Sequence, residues 1–356
     1  MKIKKFRLIQ VRNFENIEIE TDKNITIFTG KNGAGKTNLL ESVNLASFGK
    51  SFRTNKDEEL IKFNKNECTT ILTFNSGKSN HEIKIKISKT NGKQIFLNEN
   101  RIKNKDLVGI FKTVLFNPDE MQLIKGNPQK RRKFLDMEIS QINPRYYYEW
   151  INYKRAVQQR NAELKNAQIR GIKPQTDLWD MQIAKGAAYI VRKRIEAIQK
   201  LNESIEKTEE RLTKNREILK LYYIQKESKK NETNFDVEWY IHKLLEKRQE
   251  DIKFCQTSVG PHRDDILFLL NGKDISKYGS QGQQRTAILS IKLSEMEFIK
   301  KETGEYPVLL LDDVGSELDG ERKKVLFEYV KEKDIQTIMT MTEKPAYIEG
   351  KEIQIK

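Results

Sequence analysis

Alternating apolar and polar positions mark the first part of the chain. Ile17 to Glu20, Ile25 to Thr29, Thr69 to Phe74 and His81 to Ile87 are short runs of β-branched or alternating residues bounded by Asn, Gly and Ser, a pattern that predicts strands. One helix, from Thr37 to Phe48, is expected among them. From Pro128 to Lys253 the period changes. Tyr146, Trp150, Tyr153 and Val157 recur every three or four residues among Arg, Lys, Glu and Gln, while Gly and Pro become scarce, so long helices are predicted. Lys226 to Asn231 is the most loop-like stretch within that region. Strand and helix alternation then returns, with Ile266 to Leu270, Val308 to Leu311 and Ile335 to Met339 as apolar strand candidates. The two ends resemble each other and the middle does not. The expected fold class is α/β: a head split into residues 1–125 and 251–356, with 126–250 an inserted, mainly helical second lobe.

A length of 356 residues suits two lobes, since single cores stop growing near ~250 to 300 residues. With 37% hydrophobic and 33% charged residues, the composition fits a folded, highly charged protein rather than a disordered one. The 66 Lys and Arg against 51 Asp and Glu leave a formal charge of +15, which points to a polyanionic partner, nucleic acid first; a generally lysine-rich composition is the plainer source of the same excess. Cys68 and Cys255 form no C-x-x-C pair, so neither a disulfide framework nor a zinc site is expected. The basic start, Met1 to Phe6, lacks an apolar signal region, and no stretch approaches the ~18 apolar residues of a membrane span. A cytoplasmic, nucleoid-associated protein with no membrane partner is the expectation.

Gly30-Lys31-Asn32-Gly33-Ala34-Gly35-Lys36-Thr37 satisfies G-x-x-x-x-G-K-[ST] between a strand and a helix, where the chemistry needs it. Glycines let backbone N–H groups close on phosphate oxygens, the helix N-terminus adds a positive dipole end, Lys36 reaches the β- and γ-phosphates and Thr37 ligates Mg²⁺. ATP and Mg²⁺ are the expected cofactors. Pro307 to Leu311 then leads into Asp312 and Asp313, the pattern of a strand ending in a Mg²⁺-holding carboxylate (Asp312) and a catalytic one that orients water (Asp313). Tyr278 to Arg285 precedes an apolar-periodic helix. Ser280 and Gln283 form an S-x-x-Q capping box, and with Gly282 the same N-terminus is an anion site for a γ-phosphate.

Ser280-Gln281-Gly282-Gln283 resembles the signature motif of ABC-type ATPases in its SMC-like variant, and Ser316-Glu317-Leu318-Asp319 resembles the D-loop that follows the Asp-Asp strand. Over nearly its whole length the chain resembles the RecF family. Matching runs are Arg12-Asn13-Phe14, Gly49 to Arg53, Gly126-Asn127-Pro128, Arg131 to Asp136, Gln159-Arg160-Asn161 and Gly260 to Asp265. The resemblance implies a head whose ATP site is completed in trans, with Ser280 and Gly282 of one copy closing over nucleotide at Lys36 of another, so that ATP drives homodimerisation. It also implies binding of single-stranded, double-stranded or gapped DNA, and work with RecR and RecO to load RecA. Arg12 and Asn13 are implied nucleotide contacts, although a plain β-turn explains them equally. Lys130-Arg131-Arg132-Lys133, at the join to the helical lobe, is a candidate DNA contact or else a solvated helix face.

Two departures from the ABC pattern bear on turnover. Thr340-Met341-Thr342 stands where a switch histidine is expected, so γ-phosphate sensing would fall to a hydroxyl, and Gln122 is the candidate for the Q-loop glutamine. With Asp313 in place of the usual glutamate, the expectation is a weak, DNA-dependent ATPase serving as a switch. The basic insertion argues against a transporter subunit, and Asn55-Lys56-Asp57-Glu58 misses the N-K-x-D guanine motif by one position. The absence of sustained heptads argues against a long chromosome-tethering rod.

Overall fold

The computed structural model describes residues 1–21, 23–213, 217–228, 232–313, 318–345 and 347–355. The chain divides into two compact units, one formed by Met1–Met121 with Gln281–Lys356 and the other by Gln122–Ser280.

In the first unit a five-stranded sheet has the order β14 (Lys351–Gln354), β3 (Ile25–Thr29), β13 (Thr337–Thr340), β12 (Val308–Leu311) and β8 (Thr113–Phe116). Every neighbouring pair is parallel. Parallel strands covered on both faces read as continuous apolar runs, and all four residues of Val308–Leu311 are buried. Register decides where the chemistry emerges. Leu311 lies opposite Phe116 and Met339, and Met339 opposite Ile27, so β3, β12 and β13 end together. The segments after Thr29, Leu311 and Thr340 therefore leave the sheet at its carboxyl edge, where open α/β sheets bind ligands.

A second, antiparallel sheet has the order β2 (Asn16–Glu20), β1 (Lys2–Ile9), β4 (Glu67–Ser76), β5 (Ser79–Ser88), β6 (Gly92–Leu97) and β7 (Asn100–Ile102). Its inward residues Phe6, Leu72, Phe74, Ile83 and Ile85 share one core with Leu39, Leu40 and Val43 of the helix Lys36–Phe48. The alternation that predicted these strands is thus the boundary between this core and solvent.

The second unit contains the helices Pro128–Ile142, Pro144–Arg170 and Asp177–Thr213. The first two begin alike: Asn127 and Asn143 accept from the backbone N–H of Lys130 and Tyr146, each with proline at the first helical position. Two buried arginines lock the bundle. Arg160 donates to Asp180, Asp251 and Thr257, and Arg194 forms a bidentate pair with Asp136 at 2.9 Å for both bonds.

The expected boundary at residue 250 does not match this division, and neither does 125. β10 (Asp265–Leu270) pairs antiparallel with β9 (Leu219–Ile224) and with β11 (Lys273–Asp274), so the segment up to Ser280 belongs to the second unit. That unit is helices plus a small sheet, with β9 lying where only helix was expected. The strand expected from Ile335 starts at Thr337.

Candidate nucleotide site

Gly35 caps the helix Lys36–Phe48 with φ 99°, and Gly30 has φ 148°. Neither position accepts a side chain. A Cβ on Gly30 would lie 2.3 Å from the Ile355 carbonyl oxygen, and one on Gly35 2.4 Å from the Asn13 amide nitrogen. With Lys31, Asn32, Gly33 and Ala34 between them, these glycines turn the chain from β3 into the helix. Lys36 Nζ lies over the loop, donating to the carbonyls of Gly30 at 2.6 Å and Lys31 at 3.0 Å.

The helix also brings Thr37 to the end of β12. The Thr37 hydroxyl donates to Asp312 Oδ1 at 2.9 Å across 275 positions of sequence, and Thr340 Oγ1 donates to the same oxygen at 2.7 Å. Thr340 Oγ1 in turn accepts from the Asp313 backbone N–H at 3.0 Å. Asp312 is buried, whereas Asp313 is exposed and held in left-handed backbone at φ 50°. Thr37 and Asp312 fit Mg²⁺ held partly by nucleotide. Among the described residues no cluster of three or more His, Cys, Asp or Glu forms a metal cage of its own, and Mg²⁺ is commonly held by one or two protein oxygens together with substrate phosphates.

Arg12 and Asn13 differ in what they do. Arg12, at φ 53°, is committed to protein partners: Nε and Nη2 donate to the two oxygens of Glu41 at 2.9 and 2.7 Å, and Nη1 donates to the Glu59 carbonyl at 2.6 Å. The fully buried Glu41 carboxylate takes its guanidinium fork. Asn13 does touch the loop, donating to the Ala34 carbonyl at 3.0 Å and accepting from Asn38 at 2.9 Å. Ser51 donates to Glu41, and Arg53 donates to Asn38 at 2.7 Å, so the Gly49 to Arg53 run closes around the same helix.

The helix Gln281–Thr303 starts directly after Ser280, which places Gly282 and Gln283 in its first turn. Asp319 caps the helix Gly320–Glu332 by accepting from the Arg322 backbone N–H at 3.0 Å. Ser316 and Glu317 of the D-loop lie outside the described residues. Arg322 joins the two motifs: Nη2 donates to the Gly282 carbonyl at 2.9 Å, Nε to the Thr286 hydroxyl at 2.9 Å, and Nη1 pairs with the Asp319 carboxylate. The sequence reading passed over both Arg322 and Glu41. Glu41 carried one signal, as the single acidic residue of the helix Lys36–Phe48.

The basic run is largely spent on structure. Arg131 forms a bidentate pair with Asp265 at 2.7 and 2.9 Å and donates to the Gly126 carbonyl, and Arg132 donates to the Asp264 carbonyl at 2.6 Å. Both arginines tie their helix to the start of β10. Lys130 and Lys133 keep exposed side chains. Gln122 sits on the helix Met121–Lys125, at the first position of the second unit.

The family model for the RecF/RecN/SMC N terminal domain matches residues 2–354. The DNA replication and repair protein RecF of Clostridium novyi (strain NT) is 40% identical over 347 residues, spanning 96% of this chain and 93% of the relative. The chain belongs to the RecF family. The protein of that name from Clostridium perfringens (strain SM101 / Type A) is similar to the same degree, 40% over 344 residues, with 96% and 93% covered. A solved structure of the recombination mediator protein RecF with ATP in the RecFOR pathway matches at a TM-score of 0.92 and 34% identity, covering 99% of this chain and 95% of that one. Its ATPrS counterpart gives 0.90 at the same identity. An Smc head bound to the C-winged helix domain of ScpA, 16% identical with a TM-score of 0.53, shares the fold alone. The fold is therefore the ABC-type, SMC-like ATPase head with an inserted lobe. Among the described residues no helix is long and apolar enough to cross a membrane.

Proposed function

We propose that this chain is an ATP-switched, DNA-binding recombination mediator. One observation carries the nucleotide part: the Thr37, Asp312 and Thr340 side chains converge within hydrogen-bond distance at the carboxyl edge of the parallel sheet, beside Lys36 and its glycine loop. The relatives solved with ATP and ATPrS support the same ligand here. In this proposal the loop N–H groups and Lys36 bind the phosphates, while Thr37 and Asp312 hold Mg²⁺, which supplies neutralising charge to the phosphates. Asp313 orients water for hydrolysis to ADP and phosphate. Its carboxylate is one methylene shorter than glutamate, which keeps turnover weak and suits a switch responding to DNA.

Ser280, Gly282 and Gln283 complete the site of a second copy, with Arg322 and Asp319 fixing the presentation of that helix, so ATP promotes a homodimer. The relatives' place in the RecFOR pathway, together with the net charge of +15, supports DNA, single-stranded or gapped, as ligand and RecR and RecO as partners, with RecA loading as the outcome. Sedimentation velocity tests the dimer. Wild-type protein is expected to double in mass with ATP but not ADP, and Ser280→Arg to remain monomeric while still binding ATP. Unchanged mass of the wild type under ATP contradicts the proposal.

A further inference from the structure

Arg131 and Arg132 are engaged within the second unit, and the antiparallel sheet of the first unit offers a further face for phosphate contacts. We propose that the solvent face of β5, β6 and β7, with Arg7 of β1, is a DNA-backbone binding surface. This proposal rests on the DNA-binding function put forward above and names a surface for it.

Register places the side chains. Across one row run Arg7, Ile71, Lys84, Phe96 and Arg101, and beside it Thr69, Lys86 and Gln94. Neighbouring strands lie about 4.8 Å apart and same-face residues along a strand about 7 Å, so Lys84, Lys86 and Arg101 form a compact cationic group around the half-buried Phe96. The inward neighbours Ile83, Ile85 and Ile87 are buried, which fixes these cations outward.

Two features set this patch apart from an ordinary solvated face. First, Arg7, Lys84, Lys86 and Arg101 have no carboxylate partner among the described residues; the Arg7 guanidinium donates to the Asn16 amide. Of the acids on this face, Glu18 stands opposite Arg7 on the edge strand β2 and lies 3.9 Å from Lys5, Glu20 and Glu82 lie in the row beyond Arg7 and Lys84, and Glu67 lies in the row beyond Thr69 and Lys86. Second, β5 lies between β4 and β6, so its lysines do not serve to block edge pairing. Like charges gathered on a sheet face repel, and a row of phosphates relieves that repulsion while releasing counterions. Thr69 and Gln94 add neutral donors, and the flat apolar Ile71 and Phe96 leave close approach open. A route to nucleotide is also present. β1 runs on into Asn13, whose amide touches the phosphate loop.

The test is DNA affinity against salt concentration, with ATP present, for wild type, Lys84→Ala/Lys86→Ala/Arg101→Ala, Lys84→Arg/Lys86→Arg and Lys130→Ala/Lys133→Ala. Loss of three phosphate contacts is expected to shallow the log–log slope by about 0.9 per cation on duplex and about 0.7 on a single strand, which identifies the form of DNA held there. The arginine variant should keep the wild-type slope. The alanine variant should also keep its thermal melting point and ATP affinity, because the three side chains are not in the core. An unchanged slope in the triple variant, with binding lost in the Lys130/Lys133 variant, overturns the surface. Absence of DNA binding by the wild type at low salt overturns the DNA-binding function itself.

Discussion

Glu41 is wholly buried beside the phosphate loop, and the Arg12 guanidinium neutralises it through two hydrogen bonds that also raise the arginine's own pKa. Removing Arg12 leaves the buried carboxylate to Arg53, 3.8 Å away, and to the Ser51 hydroxyl. Arg12→Ala is therefore expected to cost about 3 kcal/mol in urea unfolding, near the low end for a broken buried pair because Arg12 itself is partly exposed. Arg12→Ala/Glu41→Gln should recover part of that loss, and a single-variant cost below about 1 kcal/mol would contradict the pairing.

His262 gives a second residue-scale test. It lies between the Tyr153 hydroxyl and the Thr257 carbonyl, and burial pushes its pKa down from 6.5 to about 4. The unfolded chain accordingly binds this proton first as pH falls. The neutral ring's contribution is whole above about pH 6.5 and is lost on acidification toward pH 4. Asp264 shifts the other way, up to about 6, but it titrates in both proteins of a comparison. The melting-point deficit of His262→Gln relative to wild type is thus expected to narrow between pH 7 and pH 4.5, and a constant deficit would contradict a buried neutral imidazole.

Arg322 operates at the scale of elements, since its one side chain spans Gly282 and Thr286 of one helix and Asp319 at the cap of another. Arg322→Ala should weaken ATP-driven dimerisation at least about tenfold, roughly 1.4 kcal/mol, while ATP affinity at Lys36 stays within about twofold. Equal loss of both would show general damage. Neither Arg322 nor the division of the elements was legible in the sequence. Val308–Leu311 announced itself because burial on both faces demands an unbroken apolar run, and the glycine loop because phosphate chemistry demands that spacing. β9 did not. Its inward Leu219 and Leu221 alternate with exposed Tyr222 and Ile224, and a six-residue run of that kind flanked by long helices has no distinctive period. The partners of Arg131 and Arg132 were hidden for a related reason: they come from Asp264 and Asp265, more than a hundred positions along the chain.

At the scale of the molecule, a net charge of +15 would hold DNA in any nucleotide state unless the cationic surfaces are brought together by ATP. Switching therefore requires the differential affinity of two states, and the nucleotide can shift binding only as far as it favours one of them. Lys36→Arg probes this directly, because a planar guanidinium does not reproduce the compact ammonium among the Gly30 and Lys31 carbonyls. The decisive measurement is fluorescence anisotropy of a labelled gapped duplex with wild type under ATP, with wild type under ADP, and with Lys36→Arg under ATP. Tight binding in the first condition and at least about tenfold weaker binding in the other two is the predicted result. Equal binding in all three would contradict an ATP-gated DNA mediator and leave the basic surface acting alone.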